Sequence, residues 1–300
     1  MPQILKVTTE EEALLVLSWI SDSCDIELAN SIKESRLIEN TNQLIGLIPQ
    51  KPQEIKRKKR LELIQKIDQI QQTLQNLGIT FISKINSNYP PRLKDLGKIA
   101  PYGLYVYGDL NTFEQRSLAV VGTRKSNAQG NMLAGEISFD LASKNIVIIS
   151  GGAIGIDTAS HHGALNAGGK TITVQANGLN KLYPSKNDYL FSKIKECGLI
   201  VSEYPPGRAP TKNSFLERNR LIASLSDATL VVQAPEISGA LSTARYATKL
   251  GRPLMAFPGE VGDKSSEGTN ELIRTREAES VLNVNHILEI LLPIGEFSNQ

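Results

Sequence analysis

The chain has 300 residues, 40% of them hydrophobic and 21% charged, with a formal net charge of +2. This is globular composition with apolar material for a sizeable core. It excludes a polycation, so any acidic polymer has to be met by a local patch. The two cysteines stand far apart, and two of the three histidines, His161 and His162, are adjacent, so no metal or redox centre and no cofactor is expected, and a reducing compartment fits.

The opening "MPQILKVTTEEEALL" lacks a basic stretch followed by an apolar core, and no apolar run approaches a membrane span. A cytoplasmic protein without membrane association is expected. Residues 1–77 read as a helical N-terminal domain. "TTEEEALLVLSWI" begins with capping and acidic residues, and "DIELANSIKES" suggests a second short helix. The basic stretch "KPQEIKRKKR", read as a solvated face, leads into "LELIQKIDQIQQTLQNLG". There Leu61, Ile64, Ile67, Ile70, Leu74 and Leu77 recur at steps of three and four before Gly78. Residues 78–117 read as loop-rich, with one short strand around residues 104–107.

From Ser117 onward strands and helices alternate. The strands are "SLAVVG", "NIVIIS", "KTITVQ", "LIVSE", "ATLVVQA" and "PLMAF". Between them lie helical stretches such as "NAQGNMLAGEISFDLASK" and "SFLERNRLIASLS", and one or two helices close the chain. This pattern predicts an α/β, doubly wound, mostly parallel sheet covered on both faces over residues 78–300. Ligands of such sheets sit at the C-terminal ends of the strands.

The loops at those ends are "VGTRKSN", "SGGAIGID", "ANGLNKLYPSKN", "SEYPPGRAP", "QAPEISGALST" and "FPGEVGDKSSEGTN". Glycine with Ser, Thr or Asn at a helix start is suited to an anion. No GxGxxG follows the first strand, and no GxxxxGK[ST] occurs. Arg124, Lys125, Lys181, Lys186, Arg208, Lys212, Arg218 and Arg220 all fall on or beside this edge. Arg218 and Arg220 stand two apart on a helix and point to different sides, one toward phosphate and the other locking a neighbouring loop.

The ordered motifs "VVGTRKSNAQG", "ISGGAIGIDTASHHGAL", "LYPSKN", "VSEYPPG", "FLERNRLIASLS", "SGALSTARYA" and "GTNELI" resemble the DNA-processing protein A (DprA/Smf) family over roughly residues 78–273. The resemblance implies an extended Rossmann-like domain that binds single-stranded DNA in a basic pocket. It also implies a homodimer and delivery of RecA recombinase onto the strand in natural transformation. It implies a SAM-like or helix–hairpin–helix module near the N-terminus, and it implies no enzyme. Arg124 matches the family's Arg after the first strand, expected in the DNA pocket. Gly151, Gly152, Gly155 and Asp157 match the GGAxGID turn, and His161 the helix His beyond it. Tyr183, Pro184 and Asn187 match YPxxN, with Lys186 inside it. Glu203 matches the SEY carboxylate. Phe215, Arg218, Asn219 and Arg220 match FxxRNR, and Ser238, Gly239, Thr243 and Ala244 match SGxxxTA.

Read physically, phosphates would accept N–H bonds from the Gly151–Gly152 and Ser238–Gly239 turns. Arg124, Lys186 and one of Arg218 or Arg220 would neutralise them. With aromatics only 5% of residues, a pocket for one or two bases fits better than a stacking platform. Tyr183 is a stacking or a packing residue, Asp157 and His161 organise loops, and Glu203 either holds a loop or carries acid–base chemistry. Three positions depart from the family: "VQANG" has Ala176 for a glycine, Gln233 stands where an acid is usual, and "LIRTREAES" replaces LIxxGA. The sequence ends soon after "HILEILLP", so no C-terminal winged helix is expected. Two other functions use the same cradle: a nucleotide phosphoribohydrolase and a nucleotide sensor. The hydrolases carry PGGxGTxxE, whereas "SGGAIGIDTAS" has no such Glu.

Overall fold

The computed structural model describes residues 67–292 and positions 11, 14, 15, 18 and 19. The expected helix "DIELANSIKES", the basic stretch "KPQEIKRKKR" and most of the expected N-terminal domain lie outside the described residues. The last of the periodic helices is α1 (Ile67–Leu77), with Ile70 and Leu74 buried and its glutamines exposed. Those two residues share a cluster with Leu15, Tyr105, Leu190 and Phe191, so α1 is fastened to the sheet by apolar packing.

In chain order the remaining elements begin with strands β1 (Thr80–Ser83), β2 (Gly103–Gly108) and β3 (Ser117–Val121). Helices and strands then alternate: α2 (Ala128–Ser143), β4 (Val147–Ser150), α3 (Ile156–Asn166), β5 (Thr171–Gln175), α4 (Asp188–Cys197) and β6 (Leu199–Ser202). The chain continues through α5 (Lys212–Leu225), β7 (Ala228–Val231), α6 (Ala240–Lys249), β8 (Leu254–Ala256), α7 (Glu267–Arg274), β9 (Glu279–Ser280) and α8 (Val284–Leu291). The strands form one sheet in the order β1-β2-β6-β5-β4-β3-β7-β8-β9. From β6 across to β9 every pairing is parallel, while β1–β2 and β2–β6 are antiparallel. The fold is the expected mostly parallel, Rossmann-like α/β sheet.

Two strands differ from the expected set. β1 lies in the stretch read as loop; it has four residues, and its first side chains are not buried, so no alternation signals it. β9 is two exposed residues inside the stretch read as closing helices.

The parallel strands are apolar on both faces because both faces are covered. Leu118 and Val120 of β3 pack with Ile137 and Leu141 of α2, Ala164 of α3 and Ile287 of α8. Ala119 and Val121 pack on the opposite side with Leu221 and Ile222 of α5, Ala244 of α6, and Leu93 and Leu96 of a 3-10 segment. Each fully buried Leu, Ile or Val side chain of this kind stabilises the fold by about 1.5–3 kcal/mol.

Candidate functional site

Strand order runs one way from β3 to β6 and the other way from β7 to β9, so the connections diverge between β3 and β7. The loops leaving those two strands part there and open a crevice. A cleft of about 360 Å³ occupies that place. It takes Arg124 from the loop after β3, Ala153 from the turn after β4 and Asp157 from the first turn of α3. One face of α5 and the Pro235–Ala240 loop into α6 complete it. A groove of about 630 Å³ between α2 and α3 is larger, but Glu136 and Asp140 line it, which is the wrong charge for a phosphate.

The α5 side of the cleft starts from a well-made helix end. Thr211 accepts the Ser214 N–H at 3.1 Å and Ser214 Oγ accepts the Thr211 N–H at 2.8 Å, a reciprocal cap. The cap fixes the first turn, and Lys212, Phe215, Asn219 and Ile222 then follow at steps of three and four along the cleft.

Arg218 and Asn219 form the floor, each under 8% exposed. Arg218 donates through Nη1 to Gly151 O at 2.7 Å and to Val174 O, and through Nε to Asn219 Oδ1 at 3.3 Å. Burial pushes its pKa down to about 10, with Asp157 opposing and Arg124 adding to the shift. This explains Gly151: a Cβ there would stand 2.5 Å from the Arg218 guanidinium nitrogens. The Gly151 N–H donates to Asp157 Oδ2 at 3.2 Å, and the Ala153 N–H donates to the same oxygen at 3.3 Å. The turn read as a phosphate cradle is therefore already filled at Gly151 by the protein's own carboxylate. Burial raises the Asp157 pKa, and the nearby Arg218 opposes that rise.

Gly152 faces away from the cleft lining, toward Thr173 and Phe191, which a Cβ would meet at 2.7 and 2.8 Å. Asn187 is buried and donates to Gly152 O at 3.0 Å and to Thr158 Oγ1 at 2.8 Å, so its amide ties two loops together. Lys186 is exposed on the neighbouring turn but is not part of the cleft wall.

Of the two arginines expected to divide phosphate binding and loop locking, Arg220 takes the locking role. It is 4% exposed and holds Glu203 through two contacts, Nη1 to Oε1 at 2.9 Å and Nη2 to Oε2 at 2.6 Å. It also donates to Ile99 O at 3.1 Å and Glu217 O at 3.2 Å. A fork so committed cannot also reach a ligand. Arg220 and Glu203 lock α5 to the end of β6 and to the 3-10 segment Pro91–Ile99. His161 is fully buried. The Thr171 hydroxyl donates to Ile148 O, so His161 Nδ1–H must be the donor to Thr171 Oγ1 at 2.7 Å. Its Nε2 is buried without a partner among the described residues, and burial pushes the pKa down to about 3, so the ring is neutral.

The other lip of the cleft is the α6 start. Gly239 is exposed, and a Cβ there would meet nothing within 4 Å. The N-cap of α6, Gly239, has no side chain to cap the helix, and Ser238 Oγ accepts the Ala240 N–H at 3.3 Å. Thr243, 1% exposed, lies below it, and Asn219 Nδ2 donates to Gly239 O at 3.0 Å. Gln233, found where an acid was expected, crosslinks two loops: its Oε1 accepts the Asn127 N–H at 3.1 Å and its Nε2 donates to Ser265 Oγ at 2.9 Å.

At the rim the Arg124 guanidinium lies 4.7 Å from the Phe215 ring centroid, and the Phe215 and Tyr183 rings stand 5.5 Å apart, tilted by 52°. Tyr183 is 44% exposed. Among the described residues neither Arg124 nor Lys212 forms a salt bridge. The sequence places Lys212 on or beside the ligand edge and Phe215 in the FxxRNR motif, without singling either out as a binding residue. The step-of-three-and-four stripe of α5 that faces this edge is the signal that marks them.

The family model described as DNA recombination-mediator protein A matches residues 80–292. Protein Smf of Synechocystis is 37% identical over 215 residues, covering 70% of this chain and 54% of that protein. The chain spans about half the length of this relative and of one from Mycobacterium tuberculosis, 51% of the latter. The crystal structure of DNA processing protein A from Streptococcus pneumoniae superposes with a TM-score of 0.81 at 29% identity, over 96% of this chain and 99% of that one. A structure of DNA processing protein A from Helicobacter pylori, described for its single-stranded DNA binding mode, superposes with a TM-score of 0.64 at 33% identity, over 70% and 94% of the two chains.

Proposed function

The chain belongs to the DNA recombination-mediator protein A family, and on that premise we propose that it binds single-stranded DNA in the cleft between β3 and β7. The observation that carries this reading is the rim: two exposed cations, Arg124 and Lys212, without carboxylate partners among the described residues, beside the part-exposed ring of Phe215. Cations for phosphates and an aromatic face for a base are what a sequence-tolerant single-strand site needs. Exposed Gly239 and the start of α6, whose N-cap has no side chain, offer further phosphate contacts. From the family we extend the proposal to a homodimer in the cytoplasm that hands the strand to RecA recombinase in natural transformation. We also propose that residues 1–77 form a helical N-terminal domain, whose Leu15, Ile70 and Leu74 pack on the sheet.

The proposed activity is binding without turnover. The carboxylate lining the cleft among the described residues is Asp157, and its Oδ2 is held inward by two N–H groups. Burial raises its pKa, the direction a general acid needs, and that is the observation that favours the hydrolase reading. One experiment separates the two. Labelled oligothymidylate, the same sequence as duplex, and adenosine monophosphate are titrated at matched salt, and free adenine is monitored. Tighter binding of the single strand with no adenine release is expected. Equal affinity for duplex, or steady adenine release abolished by Asp157→Asn, would overturn the reading.

A further inference from the structure

The cleft has two levels of different chemistry. Its floor is polar and closed, with Arg218, Asn219 and Thr243 all under 8% exposed. Its rim is open and carries two large aliphatic side chains, Leu216 at 46% exposed and Ile237 at 93%. Leu216 stands on α5 next to Phe215, and Ile237 stands on the loop between β7 and α6, two residues before Gly239.

Single exposed aliphatics are ordinary on a protein surface. These two line the same cleft, and that cleft also holds the cations. Ile237 buries almost nothing, so it contributes nothing to the packing of the fold. A β-branched side chain is stiff at χ1 and loses little rotamer freedom when it is covered. Glu236, the neighbour of Ile237, is exposed, and a phosphate placed at that lip would meet a like charge. A ligand whose phosphates sit on Arg124 and Lys212 therefore has to bring an uncharged, flat, apolar part to the lip. An unpaired base has such a face. In a duplex those faces are covered by their stacked neighbours, and exposing one costs unstacking energy.

We propose that Leu216 and Ile237 form an apolar lip that takes the face of an unpaired nucleobase, and that this lip, rather than the cations, makes the cleft discriminate single strands from duplex. The proposal rests on the reading of the cleft as a single-strand site and adds the source of its selectivity. The cations meet phosphates that both forms of DNA carry, so they supply affinity without telling the two apart.

The test compares labelled oligothymidylate with an abasic deoxyribose–phosphate chain of equal length, which keeps the phosphates and removes the bases. The wild-type protein should hold the thymidylate about tenfold more tightly than the abasic chain, within the range for one stacked base. Ile237→Ser and the double variant with Leu216→Ser should lower thymidylate affinity toward that of the abasic chain. Abasic affinity and the salt dependence should stay unchanged. Arg124→Ala should weaken both polymers alike. Ile237 is almost wholly in water, so its single variant folds as the wild type does and decides the matter if the double variant is unstable. Equal wild-type affinity for the two polymers overturns the lip while leaving the cationic site in place. A preference for bases that survives in Ile237→Ser and in the folded double variant puts the base elsewhere. An equal drop for both polymers in the lip variants assigns those residues to the backbone. If neither polymer binds the wild type, the single-strand reading fails and the lip fails with it.

Discussion

Arg218 and Arg220 stand two residues apart on α5 and are 4% exposed each; Arg218 donates to the Gly151 and Val174 carbonyls and to Asn219, and Arg220 to Glu203 and the Ile99 carbonyl. Arg124 and Lys212, a short distance away at the rim, are exposed, and Arg124 lies over a ring face. A guanidinium taken out of water needs acceptors inside the protein, and once it has them it is frame. A cation left at the rim keeps its donors for a ligand. Burial, not residue type, separates the two groups.

The largest effect should come from the frame. Arg220→Ala leaves the buried Glu203 carboxylate uncompensated and should cost about 3–5 kcal/mol of stability, read from denaturant unfolding. A loss no larger than that of a surface substitution, about 0.5 kcal/mol, would break the distinction between floor and rim.

Arg124→Ala should leave the unfolding midpoint in place and weaken single-strand binding by about 1.5–3 kcal/mol, the value of one charge-assisted contact. A sharp fall in melting temperature with unchanged binding would move Arg124 into the frame.

A third expectation concerns pH. His161 has a folded pKa of about 3 against an ordinary 6.5, so between those values the unfolded chain takes up a proton that the folded chain refuses. Its contribution is whole above pH 6.5 and is lost as pH falls toward 3. Asp157 works in the opposite sense. Its carboxyl is raised by burial, so the folded chain keeps a proton the unfolded chain releases, and its contribution grows as pH falls. His161→Asn removes the first effect alone. Between pH 7 and pH 5 the wild type should lose about 2 kcal/mol relative to that variant. Parallel profiles would show that the ring is not held neutral.

The smallest effect belongs to Lys249→Ala. Lys249 is exposed at the C-terminal end of α6 over the Tyr246 ring, and the change should move stability by no more than about 0.5 kcal/mol and leave binding alone.

The sheet was legible because its strands are apolar on both faces and its helices are long. β1 and β9 were not, because four residues with a half-exposed start and two exposed residues leave no period to read. In the site, the position of Arg124 followed from its place after β3. That one of Arg218 and Arg220 locks a loop was legible too, but which one, and that Glu203 is its partner, was not, because the pairing joins residues 17 apart in the chain. Gly151 shows the same limit. As a sequence letter it suits an anion, whereas in the fold it makes room for Arg218 and gives its N–H to Asp157. Ile237 carried no sequence signal at all, since its interest lies only in being exposed beside cations.

The most direct measurement is the salt dependence of oligothymidylate binding for the wild type and for the double variant Arg124→Ala/Lys212→Ala, with Lys249→Ala as control. If the rim cations hold the phosphates, the slope of log affinity against log salt should fall in magnitude by about 1.4 in the double variant, two phosphates at about 0.7 each. The melting temperature and the control should not change. An unchanged slope in a folded double variant would contradict the assignment of the DNA backbone to this rim.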